Sequence, residues 1–409
     1  MKILILASKF SPKIAEVFGL RADPFGGWFE GISINLSQRD DVTISYSVLE
    51  KGMHNKKVTH FEKIKYQHIT YKNLKGLKEM LLSDEYDVYH IFGAEQDWAF
   101  DVACILDLSK TVVSIQGLIS FCSFHYLANY NMYSKAYNLI LPIYMKLNQN
   151  VFVKRGLKEV KVYEKARYCI GRTDWDYAAV KILNPRIEYF KVNEILRASF
   201  YSGEWTIKTC KRNTIFVSQA GYPLKAMHMI LETLKLLKQT MPDVLCRIGG
   251  DDITKQTSLA IKLGVSYNNY IRKLIKSYGL ENNVVFLGLL TEEEVKRTLL
   301  ESHVFYCASS IENSSNSLAE AMYLGVPSVA SYVGGSSCFG KHKESLYFYP
   351  FDEPYLAAHY IQEIMQNEEI ANSLSLNARK EMKLKFDQKK NTGDLVKVYN
   401  KIYKHNTQG

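Results

Sequence analysis

Two open parallel β-sheets, each covered on both faces by helices, are the architecture the sequence predicts. Three observations carry this. Short apolar runs alternate with longer stretches of helical period along most of the chain. The runs fall into two series of six, separated near Arg197–Arg212 by a stretch without clear period. The length, 409 residues, suits two domains or three at roughly 100–200 residues each. Strand–helix alternation implies parallel strands buried on both faces. The fold class is therefore α/β, with two Rossmann-like domains whose sheets face an interdomain cleft.

In the first half, strands are predicted at Lys2–Ser8, Val42–Leu49, Val88–Gly93, Thr111–Gly117, Arg167–Gly171 and Glu188–Val192. In the second half they fall at Thr214–Ser218, Val244–Gly249, Val284–Gly288, Val304–Ala308, Pro327–Val333 and Leu346–Phe351. Met227, Ile230, Leu231, Leu234 and Leu237 line one face of an intervening helix. The opening run Met1–Ala7 is too short for a signal peptide and reads as a buried first strand. No stretch of about 18 apolar residues is present, so no membrane span is expected.

Apolar residues make up 47% and charged residues 23%, which excludes a disordered, collagen-like or miniature protein. The seven cysteines are scattered, odd in number and never in C-x-x-C spacing. That argues against a disulfide framework or zinc site and for a reducing, cytoplasmic compartment. The formal charge of +10 favours an acidic partner. Residues 110–200 hold 14 Lys+Arg against 6 Asp+Glu, so +8 of the excess lies there.

In open parallel sheets, ligands bind beyond the carboxyl ends of strands. The strongest motif lies in such a place: "SSIENSSNSLAEAMYLGVPSVASYVGG", residues 309–335. Glu312 and Glu320 stand eight apart across a small polar run. A helix is predicted to open near Ser315, Asn316 and Ser317 and to end at Gly325-Val326-Pro327. Its free N–H groups suit a phosphate. Glu320, one turn inside, is placed to accept from a ribose diol, and Glu312 from a second polyol.

This segment resembles the E-x7-E region of family 4 glycosyltransferases, retaining enzymes of the GT-B fold, among them bacterial polysaccharide- and lipopolysaccharide-assembly types. The likeness covers most of the second half: "TIFVSQAGYPLKAMHMILETLKLL" (214–237), "VLCRIGGDD" (244–252) and "NNVVFLGLLTEEEV" (282–295) are similar to further family segments. "FDQKKNTGDLVKVYNKIY" (386–403) looks like the family's closing helices. The domains this implies are residues 1–205 for the acceptor, 206–385 for the nucleotide-sugar donor, and a helix over 386–409 returning to the first.

The resemblance implies roles. Lys225 matches the lysine that contacts the donor diphosphate, Glu320 the ribose-binding glutamate, and Glu312 the glutamate near the transferred sugar. Gly250 lies in the Gly-rich turn, and Gly288, Leu289 and Leu290 match the base-binding loop. Gln219 stands where the family commonly has arginine, and Gln116 where it has histidine. Gln116 can hydrogen-bond near the sugar but cannot serve as a proton carrier at neutral pH. Gly26 and Gly27 allow close backbone approach to a phosphate or sugar. Gly117, His90 and Arg172, at strand ends of the first domain, are candidate acceptor contacts.

Asp174 and Asp176 form a D-x-D, which metal-dependent transferases of another fold use to hold a cation on the diphosphate. Asp174 equally suits a helix cap. The GT-B reading makes the site metal-independent, with no cofactor and the nucleotide sugar as co-substrate. Tyr126, Tyr130, Tyr133 and Tyr137 are spaced as one helix stripe, with Lys154, Arg155, Lys158, Lys161 and Lys165 on the next helical pattern. They read either as packing and a solvated face, or as an acceptor platform at an anionic membrane surface. No nucleic-acid signature is present.

The function expected is a hexosyltransferase moving sugar from a nucleotide-diphosphate donor to a glycan or lipid-linked acceptor with retention, in cell-surface polysaccharide synthesis. Domain closure would exclude water. The alternatives are a non-catalytic GT-B subunit, motivated by Gln116 and Gln219, and a sugar-nucleotide epimerase.

Overall fold

The computed structural model describes residues 1–21, 27–129 and 141–407, and it divides into two compact units. The first comprises Met1–Ser120, Val153–Arg197 and Phe386–Gly409, and the second Phe121–Phe152 and Ala198–Lys385. Gly26, Tyr130, Tyr133 and Tyr137 lie outside the described residues.

The first unit holds an eight-stranded sheet. Its strands are β1 (Lys2–Ala7), β2 (Thr43–Lys51), β3 (Asn55–Phe61), β4 (Ile64–Tyr71), β5 (Val88–Phe92), β6 (Thr111–Ser114), β7 (Tyr168–Gly171) and β8 (Glu188–Lys191). Their order is β3-β4-β2-β1-β5-β6-β7-β8. All neighbours are parallel except β3 and β4, which form an antiparallel hairpin at one edge. The two hairpin strands are an addition to the six predicted. The edge strand β3, NKKVTHF, is largely exposed and lysine-bearing, which discourages pairing with another chain.

The second unit holds β9 (Lys211–Val217), β10 (Leu245–Gly249), β11 (Val284–Gly288), β12 (Ser302–Cys307), β13 (Ser328–Ser331) and β14 (Tyr347–Tyr349). The order is β11-β10-β9-β12-β13-β14, with every pair parallel. Counted from β9 this is 3-2-1-4-5-6, the doubly wound order of dinucleotide-binding sheets. The chain therefore reverses direction of winding between β9 and β12. Loops leaving those two strands diverge to opposite faces and open a crevice at their carboxyl ends. β12 is buried along its whole length, as a central strand covered on both faces must be.

The closing helix Gln388–Thr407 packs within the first unit. Tyr399 from this helix binds His90 Nδ1 at 2.7 Å, while Ser114 Oγ holds Nε2 at 2.6 Å. Burial lowers the His90 pKa to about 3, so the ring stays neutral.

The helix Leu141–Lys165 carries Glu159 into the first unit's interior, where it accepts from Ile119 N at 3.1 Å, Ser120 N at 2.8 Å and Ser120 Oγ at 2.5 Å. Glu95 lies near it, and burial pushes each carboxyl up to about 7. An ordinary glutamate titrates near 4.3. The folded state thus binds protons more tightly than the unfolded chain. Stability is fully present below the ordinary value and is lost as pH rises through about 7. The melting temperature is expected to fall between pH 5 and pH 8, and Glu95→Gln to flatten that fall. Thermal melts of the two proteins across that range measure it; parallel slopes contradict it.

Candidate active site

The crevice of the second unit forms where β9 and β12 part. After β9 the chain runs through Ser218–Tyr222 into a single 3-10 turn, Pro223–Lys225, and then the helix Met227–Thr240. Lys225 therefore sits just before the helix, not within it. The residue between, Ala226, has φ 53°, a left-handed conformation costly for alanine, and its side chain is fully buried. Ser310 N, after β12, donates to Leu224 O at 2.8 Å and fixes this turn against the neighbouring loop.

After β12 the loop carries Glu312. Its carbonyl accepts from Gly335 N at 2.9 Å. Gly334 makes that approach possible: its φ is 50°, and a Cβ there would lie 2.2 Å from the same carbonyl oxygen. The Glu312 carboxylate forms a short ion pair with Lys225 Nζ, both side chains being largely buried. Burial opposes the lysine's charge, but the adjacent carboxylate outweighs it and raises the pKa, so Lys225 remains cationic.

The helix Asn316–Leu324 opens just beyond, as its sequence predicts. Ser315 is the N-cap, its Oγ accepting from Leu318 N at 3.4 Å, and Gly325 ends the helix at φ 85°. Asn316 and Ser317 form its first turn, and Glu320 is buried one turn in. On the other side of β9, Gly250 N donates to Gly288 O at 2.9 Å and ties the ends of β10 and β11 together. Gly249 passes so close to Ser218 that a Cβ would lie 2.7 Å from its carbonyl. Gln219 lies beside Gly250; Leu290 packs toward Gly249, while Leu289 is exposed. Lys225, Glu312, the helix start and the Gly-rich turns thus converge at the carboxyl edge of one sheet.

The first unit's candidates behave differently. Gly27 opens the helix Gly27–Ser37. His90 has both ring nitrogens engaged within the unit. Arg172 is buried, paired with Glu194 at 2.5 Å and donating through Nη2 to Ile115 O at 3.2 Å and Gln116 O at 3.3 Å. Gly117 borders open space. Tyr126 belongs to the second unit; it follows a 3-10 turn, Ser123–His125, and is buried, its ring centroid 4.7 Å from that of Phe152. Of the two readings of the tyrosine stripe, packing describes Tyr126, and the exposed platform does not.

The D-x-D pair also resolves into local structure. Thr173, not Asp174, is the N-cap of the helix Asp174–Leu183, and Asp176 completes a capping box with it. Asp176 is fully buried, accepting from Arg172 N at 2.9 Å and Tyr189 OH at 2.6 Å. Asp174 reaches outward to Lys191 at 3.4 Å. Among the described residues no cluster of three His, Cys, Asp or Glu side chains is arranged to hold a metal.

Sequence reasoning missed Asn193 and Glu194, which stand directly after β8. Their position beyond a parallel strand was the available signal.

Two doubly wound units of this kind define the GT-B fold. Sucrose-phosphate synthase from Thermosynechococcus elongatus superposes with a TM-score of 0.74 at 14% identity, covering 98% of this chain and 99% of that one. HepE from Anabaena, solved in complex with UDP and glucose, gives 0.68 at 16% identity over 98% and 100%. Residues 203–381, almost the whole continuous part of the second unit, match the family described as Glycosyl transferases group 1. Spore coat protein SA of Bacillus subtilis is 24% identical over 194 residues, 47% of this chain and 49% of that protein. The chain spans less than half the length of the curated relatives it matches.

Proposed function

We propose that the protein is a glycosyltransferase of family 4 type. It moves a sugar from a nucleotide-diphosphate donor to a glycan or glycolipid acceptor with retention of anomeric configuration, in cell-surface polysaccharide synthesis. The observation that carries this reading is the buried Lys225–Glu312 pair at the β9/β12 crevice, beside the open end of the helix Asn316–Leu324.

A leaving nucleoside diphosphate gains negative charge in the transition state. Lys225 and the backbone N–H groups of the helix's first turn are donors fixed where that charge develops. Glu320 accepts from the ribose diol, and Glu312 is near the transferred sugar. HepE's bound UDP and glucose support a donor of this class. Retention, as the family resemblance implies, comes from same-face attack assisted by the leaving phosphate. No metal is required, because the lysine and the helix end supply the positive potential.

The test is donor turnover. Purified protein is incubated with UDP-, GDP- and dTDP-sugars and membrane extract, with and without EDTA. Release of nucleoside diphosphate that survives EDTA supports the reading. Loss with EDTA and recovery with manganese would overturn metal independence, and donor binding without turnover would favour a non-catalytic subunit.

The acceptor is proposed to lie at an anionic membrane surface. On the helix Leu141–Lys165, Ile143, Leu147, Val151 and Leu157 are exposed apolar residues, with exposed Lys146, Lys154, Lys158 and Lys161 among them. An exposed apolar row edged by lysines suits insertion at a lipid headgroup boundary. Among the described residues no helix is long and apolar enough to cross a membrane. The protein is expected to co-sediment with phosphatidylglycerol vesicles and not with phosphatidylcholine vesicles. Changing Lys154, Lys158 and Lys161 to Glu is expected to abolish this; retained binding removes the membrane from the proposal.

A further inference from the structure

The stretch Phe121–Phe152 comes from the first half of the chain but belongs to the second unit. Residues 121–128 of it reach the turn that carries Lys225 by three routes. Ser310 Oγ lies 3.2 Å from His125 O and 3.3 Å from Leu224 O, so its one hydrogen is shared between this segment and the turn. Ala128 packs with Ala226 and Met229 in one buried apolar cluster, with Phe351 against it. His228, the second residue of the helix Met227–Thr240, has its Nε2 2.7 Å from Ala128 O.

Hydrogen-bond chemistry fixes the direction of that last contact. A carbonyl only accepts, so Nε2 carries the hydrogen and Nδ1 is the acceptor. Tyr267 OH, 2.9 Å away, donates to Nδ1, and its oxygen accepts from His228 N at 3.3 Å. Burial lowers the His228 pKa to about 4, so the ring stays neutral and keeps this tautomer. What the ring holds is strained. Ala128 has φ 48° and Ala226 φ 53°. Both are left-handed, a conformation that a residue with a side chain keeps only where its neighbours enforce it. Ala226 alone separates Lys225 from the helix Met227–Thr240, so its backbone angle sets the direction in which the lysine leaves the turn.

We infer that His228 is a positioning residue of the donor site: through Ala128 it holds the left-handed turn that aims Lys225 at the leaving diphosphate. What the lysine does once aimed rests on the glycosyltransferase reading; the holding of the turn does not.

The full-length protein is compared with His228→Leu, which keeps apolar bulk and loses the Nε2 donor, and with His228→Gln, whose amide N–H reaches toward the same carbonyl. Turnover of a UDP-sugar is expected to fall about 10–100-fold in His228→Leu, the scale for a reacting partner displaced by an ångström, and to stay within about threefold in His228→Gln. In a Lys225→Ala background, His228→Leu is expected to change turnover less than about twofold, because the group it acts through is gone. A merely structural role would multiply the two losses. Hydrogen–deuterium exchange supplies a readout free of activity. The peptide covering 219–227 is expected to exchange faster in His228→Leu and as in the native protein in His228→Gln, with the helix Asn316–Leu324 unchanged in both. Where His228→Leu fails to fold, Ser310→Ala reads the same support, because the bond from Ser310 N to Leu224 O remains. It is expected to quicken exchange over 219–227 in the same way. Multiplying losses overturn the inference, and so does native-like exchange over 219–227. Faster exchange there, with no nucleotide sugar turned over by the native protein, would keep His228 as the holder of the turn and sink the transfer reading.

Discussion

Lys225→Ala is expected to cut turnover with a nucleotide-diphosphate sugar by roughly 10²–10³-fold, the scale observed when one fixed donor to a developing anion is removed. The lysine is well suited to so large a role. It is largely buried, kept cationic by Glu312, and carried on a turn locked by Ser310 N and the left-handed Ala226. A cation held this way needs little reorganisation as charge builds on the leaving phosphate. The single variant leaves Glu312 buried without its partner, which itself costs about 3–5 kcal/mol of stability. Loss of activity alone would therefore be ambiguous. The double variant Lys225→Ala/Glu312→Ala separates the two effects. It is expected to recover much of the melting temperature and none of the turnover, since both buried charges are gone while the phosphate donor is still missing. Turnover within tenfold of the native protein in Lys225→Ala would remove the lysine from the reaction.

Much of this architecture is legible in the chain, for reasons that particular elements make clear. Buried parallel strands such as SHVFYC and KILILA are continuous apolar runs or nearly so, and the helix after β12 declares both ends through Ser315 and Gly325. The hairpin β3–β4 escapes notice because its signal is mixed. β3 is an exposed edge, and β4 buries Gln67 and His68, whose partners Ser47 and Glu50 lie on β2. A polar residue satisfied by a distant strand looks, in one dimension, like a solvated one. Contacts of long sequence separation are hidden for the same reason. Lys225 and Glu312 stand 87 residues apart, and only the 3-2-1-4-5-6 winding brings them together. Asp176 shows the reverse case: a short-range D-x-D pattern is compatible with a metal site as well as a helix cap, while its carboxylate's actual duty is a capping box and hydrogens from Arg172 N, Thr173 N and Tyr189 OH. Local helix chemistry is compatible with more than one reading until the burial of the side chain is known.

The pairing of Lys225 with Glu312 has an energetic consequence for the donor. In the free crevice the lysine already has an anion, so an incoming diphosphate competes with a carboxylate that cannot diffuse away. On the proposed reading, binding exchanges one ion pair for another, and the displaced Glu312 would then be available to hydroxyls of the sugar. Once the sugar has left, the same carboxylate would return to the lysine and favour departure of the nucleoside diphosphate. Glu312→Gln removes the competitor while preserving shape. UDP is accordingly expected to bind about tenfold tighter, equivalent to about 1.4 kcal/mol, while turnover falls. The unliganded variant is also expected to melt lower than the native protein, because Lys225 is left buried without its counter-charge. UDP should then raise its melting temperature by more than it raises that of the native protein, since ligand stabilisation grows with affinity. Calorimetric titration with UDP and paired melts with and without it measure both effects. Unchanged or weaker UDP binding in Glu312→Gln would show that the carboxylate does not compete for the lysine, and the exchange would have no place in the catalytic cycle.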